Sequence, residues 1–441
     1  MNFIAICLHC LDMRDFHSNL RTTPFLDKLR ERSIFIPMGR GQGHHHGDSL
    51  NAELTGIWAA RFTDSVLDKN GYRFSQKAGL PKTVIEYLAE SGYDIFTCLT
   101  ANSVHQIGTW AVQGGMQEIW LKNEPERLKQ FSLPKKMFLN EWLDGINNSK
   151  RFYAHIFLRH THRPWAQTKK LYSLLGLQPS AQAWVREKRG LPLHWPHDAY
   201  VTRRAALENP DGFAALRRDG LAMADKIVKQ IFEATSNIKD VTYIVYSNHG
   251  EVYDHFRYNQ AYSTKIVEGL EMVGGTSHGN FPYEVLYANM QMWLIPNLRP
   301  KIMGGIGRSI DFSPTVLDLA DIRPEHMDGE SMLKHFAEGA FLNRDRYAET
   351  PTGGGCLSMV RNDGFKLIAN GADNPVFADH KLAVFDLRSD PYEYVNLINT
   401  DLGRDVLDWA ITRHHELSGT LLKNQGTNSK SGVYSPLFSH Q

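Results

Sequence analysis

Short apolar runs that alternate with amphipathic segments constrain the fold of this chain more than any other feature. Each run has the length of a buried strand, and each segment between them has the spacing of a helix with one apolar face. This alternation predicts an α/β fold with a large, mostly parallel sheet and helices on both faces. The predicted strands are Phe3–Leu8, Ile95–Leu99, Phe152–Leu158, Val241–Ser247 and Gln291–Ile295. The predicted helices are Pro24–Arg32, Ser49–Phe62, Lys82–Ser91 and Asp219–Ala234.

The pattern changes after about residue 340. Short extended pieces with Gly and Asp-Pro turns follow one another there, as in RNDGFKLIANG, which predicts a small antiparallel sheet. We therefore expect a main α/β domain over 1–340 and a small C-terminal α+β subdomain over 341–441. Residues 163–205 carry Trp, Pro and basic residues without clear periodicity, and we expect them to form an insertion near the site.

Composition and charge exclude several kinds of protein. The 441 residues carry a formal net charge of +1, which gives no general attraction to nucleic acid or to an anionic membrane. The apolar N-terminus, MNFIAICLHC, lacks a positive flank and a cleavage site and is too short to span a bilayer. We expect a cytoplasmic protein. Four cysteines do not form a disulfide framework, and Cys7 and Cys10 are expected on opposite faces of a strand.

Histidines follow three of the predicted strands. The chain reads His9-Cys10 after the first, His160-Thr161-His162 after the third and Asn248-His249-Gly250-Glu251 after the fourth. Parallel sheets of this kind bind ligands beyond the carboxyl ends of their strands, so these side chains are candidates for one site. The alternative is that each histidine is a polar residue packed at a strand end.

Nine short motifs, each of low specificity, lie along the chain in a fixed order. They are Thr23-Pro24-Phe25-Leu26-Asp27-Lys28-Leu29, Leu54-Thr55-Gly56, Gly92-Tyr93, His162-Arg163-Pro164-Trp165, Ser247-Asn248-His249-Gly250-Glu251, Ser277-His278-Gly279 with Tyr283-Glu284, Asp311-Phe312-Ser313-Pro314-Thr315, Asp328-Gly329, and Phe385-Asp386-Leu387 with Asp390-Pro391. In residue type and order they resemble the sulfatase family of the alkaline phosphatase superfamily. The resemblance implies an alkaline phosphatase-like fold and a divalent metal beside an anionic ester.

The nucleophile region departs from the family pattern. The CxPxR motif that yields formylglycine is absent from the chain, so formylglycine is not expected. His46 stands ten positions before Gly56, where the resemblance implies the nucleophile, and closes the run GRGQGHHH before a helix. A glycine-rich approach to a helix N-terminus suits an anion. Asp48 and Ser49 are expected to cap that helix, and Ser49 is the nucleophile instead if the loop is shifted by three residues.

The metal positions implied by the resemblance have also changed. His9 and Cys10 stand where the family has paired aspartates, Asn248 replaces an aspartate, and His249 matches. Calcium and magnesium prefer oxygen ligands, whereas imidazole and thiolate suit zinc-like ions. His9, His46 and His249, together with Cys10 or Asn248, are therefore candidate ligands of a zinc-like divalent metal. The alternative is that metal binding has been lost and the histidines line a pocket.

Two positions on the substrate side match the family. The resemblance implies that His162 contacts the ester oxygens and that His278 lies near the leaving group, where a histidine can donate a proton. Together with His46 and Ser49 they are the candidate catalytic residues. Three functions stay open at this point: a hydrolase of a sulfate, phosphate or phosphonate ester, a non-catalytic protein that binds an anionic ligand or partner, and another metal-assisted bond cleavage.

Overall fold

The computed structural model describes thirteen stretches of the chain, and everything below refers to them. They are residues 1–11, 22–43, 46–58, 82–98, 136–162, 173–176, 205, 208–251, 283–339, 342, 344–350, 356–370 and 382–424. Most of the predicted insertion over 163–205 lies outside the described residues.

The main sheet of the described chain has eight strands in the order β3-β4-β1-β5-β6-β2-β7, and β8 pairs with β2. These strands are β1 Asn2–Leu8, β2 Ile34–Arg40, β3 Asp94–Cys98, β4 Phe152–Leu158, β5 Val241–Tyr246, β6 Ala288–Leu294, β7 Lys301–Ile302 and β8 Gly307–Arg308. β1 is parallel to both of its neighbours, β4 and β5, and β3 is parallel to β4. The predicted α/β fold with a mostly parallel sheet is therefore confirmed.

One predicted strand runs against the others. β6 pairs antiparallel with both β5 and β2. The sequence does not predict this, because a buried apolar run carries no signal for the direction of its strand. β2 is not predicted from its sequence, since Pro37 and Gly39 interrupt its apolar pattern. Its pairing with β6 shifts register between Ile36 and Gly39, which is where those two residues lie.

Helices cover both faces of the sheet. They are α1 Pro24–Glu31, α2 His46–Thr55, α3 Val84–Glu90, α4 Lys136–Asn148, α5 Pro210–Ala234, α6 Glu284–Tyr287, α7 Phe312–Leu319, α8 Leu333–Glu338 and α9 Asp401–Asn424. On β1, Ile4 and Ile6 join the hydrophobic cluster on one face, and Phe3 and Ala5 join the cluster on the other. The period-two alternation of a fully buried strand thus places the site at the strand ends rather than on a face.

The start of α2 corrects one prediction. The helix begins at His46 and ends at Thr55, where Gly56 takes a left-handed φ of 65° as glycine does after a helix. Asp48 and Ser49 therefore lie inside the helix, and the prediction that they cap it is wrong. The predicted start, Ser49, is three residues too late. Histidine is not a strong signal for the start of a helix, so the sequence did not indicate His46.

A second sheet follows in the C-terminal part of the chain. It is antiparallel in the order β12-β11-β10-β9, and its strands are β9 Arg346–Thr350, β10 Cys356–Val360, β11 Phe365–Asn370 and β12 Leu382–Asp386. Val406 and Ala410 of α9 pack in one apolar cluster with Leu357 and Leu367 of this sheet. The small antiparallel sheet is as predicted, while the domain boundary at residue 340 stays a prediction. Among the described helices, none has the length and apolar character needed to cross a bilayer.

Candidate functional site

The end of β1 delivers two side chains of types that can bind a metal ion. The strand ends at Leu8, and the His9 amide donates to the carbonyl of Leu158 at 3.0 Å, while the hydroxyl of Thr161 donates to the His9 carbonyl at 2.6 Å. Cys10 then takes a left-handed φ of 62°. Because Cys10 lies beyond the strand, the prediction that the two cysteines of the CxxC occupy opposite faces of one strand is wrong. Neither Cys7 nor Cys10 is in a disulfide; Cys7 lies in the core and Cys10 at the site.

The end of β5 meets this turn. The Cys10 amide donates to the Asn248 side-chain oxygen at 3.3 Å, so Asn248 holds the cysteine backbone in place. Nδ1 of His249 lies 2.7 Å from the carbonyl of Gly250. A carbonyl only accepts, so Nδ1 carries the proton, and the lone pair of His249 is on Nε2.

Three donor groups of the described chain converge here. His9, Cys10 and His249 are all buried, and each offers one ligand atom within 4.8 Å of the others. The Cys10 sulfur lies 3.7 Å from both ring nitrogens of His249. A tetrahedral zinc ion with bonds of about 2.3 Å to sulfur and about 2.1 Å to nitrogen separates those two donors by about 3.6 Å. The equal distance to both nitrogens, however, places the sulfur against the ring rather than along the Nε2 lone pair, so the residues fit a zinc-like ion in donor type and proximity, and a bound ion would require the His249 ring to turn.

His162 borders this cluster. Its ring centroid lies 4.5 Å from that of His9, and its side chain is half-buried, whereas His9 is buried. His9 also contacts Phe157 at 4.7 Å and His249 at 5.1 Å between ring centroids. The structure thus brings together His9, Cys10, Asn248, His249 and His162, from the ends of β1, β4 and β5. His160 is also buried, and burial lowers its pKa to about 4.

The glycine-rich loop before α2 packs against the same edge. A Cβ on Gly41 would lie 2.8 Å from the carbonyl oxygen of Asn248 and 3.5 Å from the hydroxyl of Ser49, so the loop passes between them. The Ser49 hydroxyl is buried and donates to the carbonyl of Gly43 at 2.8 Å. His46 is the first residue of α2, but its side chain, that of Asp48, and the whole of His278 lie outside the described residues.

A chain of buried polar groups next to the site is not predicted from the sequence. The Tyr153 hydroxyl lies 3.2 Å from Nδ1 of His155, and Nε2 of His155 lies 3.0 Å from the Tyr246 hydroxyl. Burial lowers the pKa of His155 to about 3, and burial raises the pKa of Glu53 far more than the hydroxyls of Tyr246 and Ser309 lower it. Burial thus favours the neutral forms of both groups. The sequence signal is a polar residue inside an apolar run, as in the YAHIF of β4.

Comparison with known proteins gives one family. The protein-family model described as Sulfatase matches residues 6–322 of the chain. Comparison with curated protein sequences gives no match. A solved structure bound to its substrate D-glucosamine-2-N,6-O-disulfate has a TM-score of 0.62 at 15% identity over 97% of this chain and 99% of that chain.

Two further solved structures have the same fold. A 2-O GAG sulfatase gives a TM-score of 0.61 at 14% identity over 97% of this chain and 94% of that one. The phosphonate monoester hydrolase of Agrobacterium radiobacter gives 0.59 at 13% identity over 95% of this chain and 96% of that one. At such identities the likeness concerns the fold alone, and the chemistry has to be argued from the residues of the site.

Proposed function

We propose that this protein, which belongs to the sulfatase family of the alkaline phosphatase superfamily, is a metal-dependent hydrolase of a small anionic ester. In this proposal His9, Cys10 and His249 hold the metal, and Asn248 completes the site. The observation that carries the proposal is the convergence of one thiol and two imidazoles, from the ends of β1 and β5, within 4.8 Å.

The chemistry of an anionic ester requires positive charge around its oxygens, because those oxygens repel a nucleophile. When bound, a zinc-like ion supplies Lewis-acid stabilisation of the charge that develops there. His162 lies beside His9 at the half-buried rim, where its N–H can donate to an ester oxygen. We assign His278 to protonation of the leaving group, a role that rests on the family resemblance.

Two residues are candidates for the attacking group. His46 begins α2, and the unpaired N–H groups of that helix end favour an anion beside it. Ser49 is the second candidate, although its hydroxyl donates to the carbonyl of Gly43 and would have to leave that acceptor before it attacked. The fact that Ser49 is engaged in a buried hydrogen bond favours His46.

Metal analysis of the purified protein tests the site directly. We expect about one zinc-like ion per chain in the wild type, none in Cys10→Ala or His9→Ala, and an unchanged content in Cys7→Ala. Cys7 is the matched control because it belongs to the same CxxC but lies in the apolar core. Equal metal content in Cys10→Ala and Cys7→Ala would show that Cys10 is not a ligand.

Turnover assays then separate the three functions. Sulfated aminosugars and phosphonate monoesters come first, since structures of this fold take such compounds, and aryl sulfates and phosphate mono- and diesters follow. We expect metal-dependent release of the anion from one of these classes. A folded, metal-free protein without turnover would leave a non-catalytic anion-binding protein. A metal-bound protein inert toward all of them would point to another bond.

A further inference from the structure

The single turn of α6 holds two of the loops that build the candidate site. The carbonyl of Leu286 accepts the Gly250 amide at 3.0 Å, and the carbonyl of Tyr287 accepts the Gly41 amide at 2.7 Å. A Cβ on Gly250 would lie 2.0 Å from the carbonyl oxygen of Val285, so the two backbones are in direct contact. The position of α6 therefore fixes the residue after His249 and the start of the glycine-rich loop.

A buried carboxylate anchors this turn. Glu284 is ion-paired with Arg40, which precedes Gly41, and with Arg346 and Lys366 at 3.2 Å each. Arg346 belongs to β9 and Lys366 to β11 of the second sheet. Both cations also lie over the ring of Tyr287, with Arg346 4.3 Å and Lys366 5.5 Å from its centroid. The two cations of the second sheet thus bind α6 both at the Glu284 carboxylate and at the ring of Tyr287.

Glu393, which follows β12 in the chain, completes this network. One of its carboxylate oxygens lies 2.6 Å from the Lys366 ammonium, and the other accepts the backbone amide of Glu284 at 2.6 Å. The side chain is fully buried, and the backbone is left-handed with a φ of 59°. A non-glycine residue in this conformation is strained and persists only where its surroundings hold it.

Stability alone does not account for such an arrangement. Five charged side chains have left water, and apolar residues of the same volume often serve a fold equally well or better. A network of charges drawn from two sheets does fix their relative position, because the ion pairs of Glu284 with Arg346 and Lys366 are lost when either sheet moves. The strained backbone of Glu393 is a second, independent sign that this position is maintained at a cost.

We infer that Glu393, Lys366 and Arg346 are positioning residues, through which the second sheet holds the His249–Gly250 and Gly41 loops in place by way of Glu284 and α6. The value of this coupling for catalysis rests on the function proposed above. The mechanical coupling itself does not, and it can be measured without metal or substrate.

Amide hydrogen exchange measured by mass spectrometry tests the coupling. In Glu393→Gln we expect the peptides that contain Gly41 and Gly250 to exchange at least 10-fold faster, while peptides from β1 keep their wild-type rates. Asp405→Asn is the matched control, since it removes a charge from the exposed Arg361–Asp405 pair in the same C-terminal part of the chain. Its rates are expected to equal those of the wild type throughout.

Two outcomes would overturn the inference: unchanged exchange at Gly41 and Gly250, or a uniform increase that includes β1. The second outcome would reduce the network to a general stabiliser. Arg346→Lys keeps the charge and loses the planar guanidinium, so it decides the matter if Glu393→Gln does not fold, with an expected increase of about 3-fold. Zinc titration of the same variants tests the proposed function separately, because the exchange result is independent of whether zinc binds.

Discussion

Acid denaturation of Glu284→Gln gives the sharpest energetic test of the buried network. Burial alone would raise the pKa of Glu284, but the positive charges of Arg346, Arg40 and Lys366 outweigh it and lower the pKa from 4.5 to about 2. The folded-state pKa is depressed, so the stabilisation is present above pH 4.5 and is lost as the pH falls toward 2. The carboxylate is buried, so solvent does not screen these charges.

The magnitude follows from linkage. Protonation of this one group removes about 2 kcal/mol of wild-type stability between pH 6 and pH 3, and about 3 kcal/mol in all. At pH 6 we expect Glu284→Gln to be less stable than the wild type by about 3–5 kcal/mol, because three buried cations lose their partner. At pH 3 the gap is expected to be smaller by about 2 kcal/mol.

Urea unfolding of both proteins at pH 3 and pH 6 measures this gap. Glu393 titrates in the same network, since burial and the charge of Glu284 raise its pKa more than Lys366 lowers it, so the comparison is repeated in a Glu393→Gln background. Glu90→Gln, which removes a carboxylate from the exposed pair with Lys82, is the control and should follow the wild type. A gap that is the same at both pH values in both backgrounds would refute the reasoning.

Three other substitutions have definite expected outcomes. Burial raises the pKa of Glu53, so wild-type stability falls with rising pH once the unfolded chain releases this proton. The free energy of unfolding of Glu53→Gln, relative to that of the wild type, should therefore rise by up to about 1.4 kcal/mol per pH unit between pH 5 and pH 8, as measured by urea unfolding. A constant gap would contradict this. Gly250→Ala places a Cβ against the Val285 carbonyl and should lower the free energy of unfolding by about 3 kcal/mol, whereas an unchanged urea midpoint would contradict the contact. Ser49→Ala leaves the buried carbonyl of Gly43 without its donor and should cost about 1–3 kcal/mol while turnover persists; loss of turnover at equal stability would make Ser49 the nucleophile.

The fold could be predicted because its signals are local and repeated. The apolar run of β1 and the apolar stripe of α5 each specify an element, and the order of the elements specifies the sheet. The N-terminus of α5 lies at Pro210 rather than at Asp219, and its cap is the Asn209 side chain, which accepts the Gly212 amide at 3.1 Å. Both Asn209 and Pro210 are start signals that the predicted boundary did not use.

The site could be predicted in part, because parallel strands deliver their carboxyl ends to one edge. His9 and His249 follow β1 and β5, which are neighbours in the sheet, and a parallel arrangement is enough to bring them together. The orientation of Cys10 depends on a left-handed backbone that no residue preference indicates. The Glu284 network could not be predicted from the sequence for another reason: its charges are single residues at least 20 positions apart, and charges of that kind usually lie at the surface.

The physical cost of the donor cluster bears on whether the site has kept or lost its ion. Two imidazoles and a thiol are buried side by side, and polar groups in such a place cost stability that apolar residues would not. Cys10 adds the cost of a left-handed backbone, and its amide is held by Asn248. In a pocket that had lost its ion nothing would oppose replacement of these groups, whereas a bound ion offsets both costs through its bonds to the donors. The convergence of three such donors within 4.8 Å therefore favours a retained metal centre with changed ligands over a decayed one.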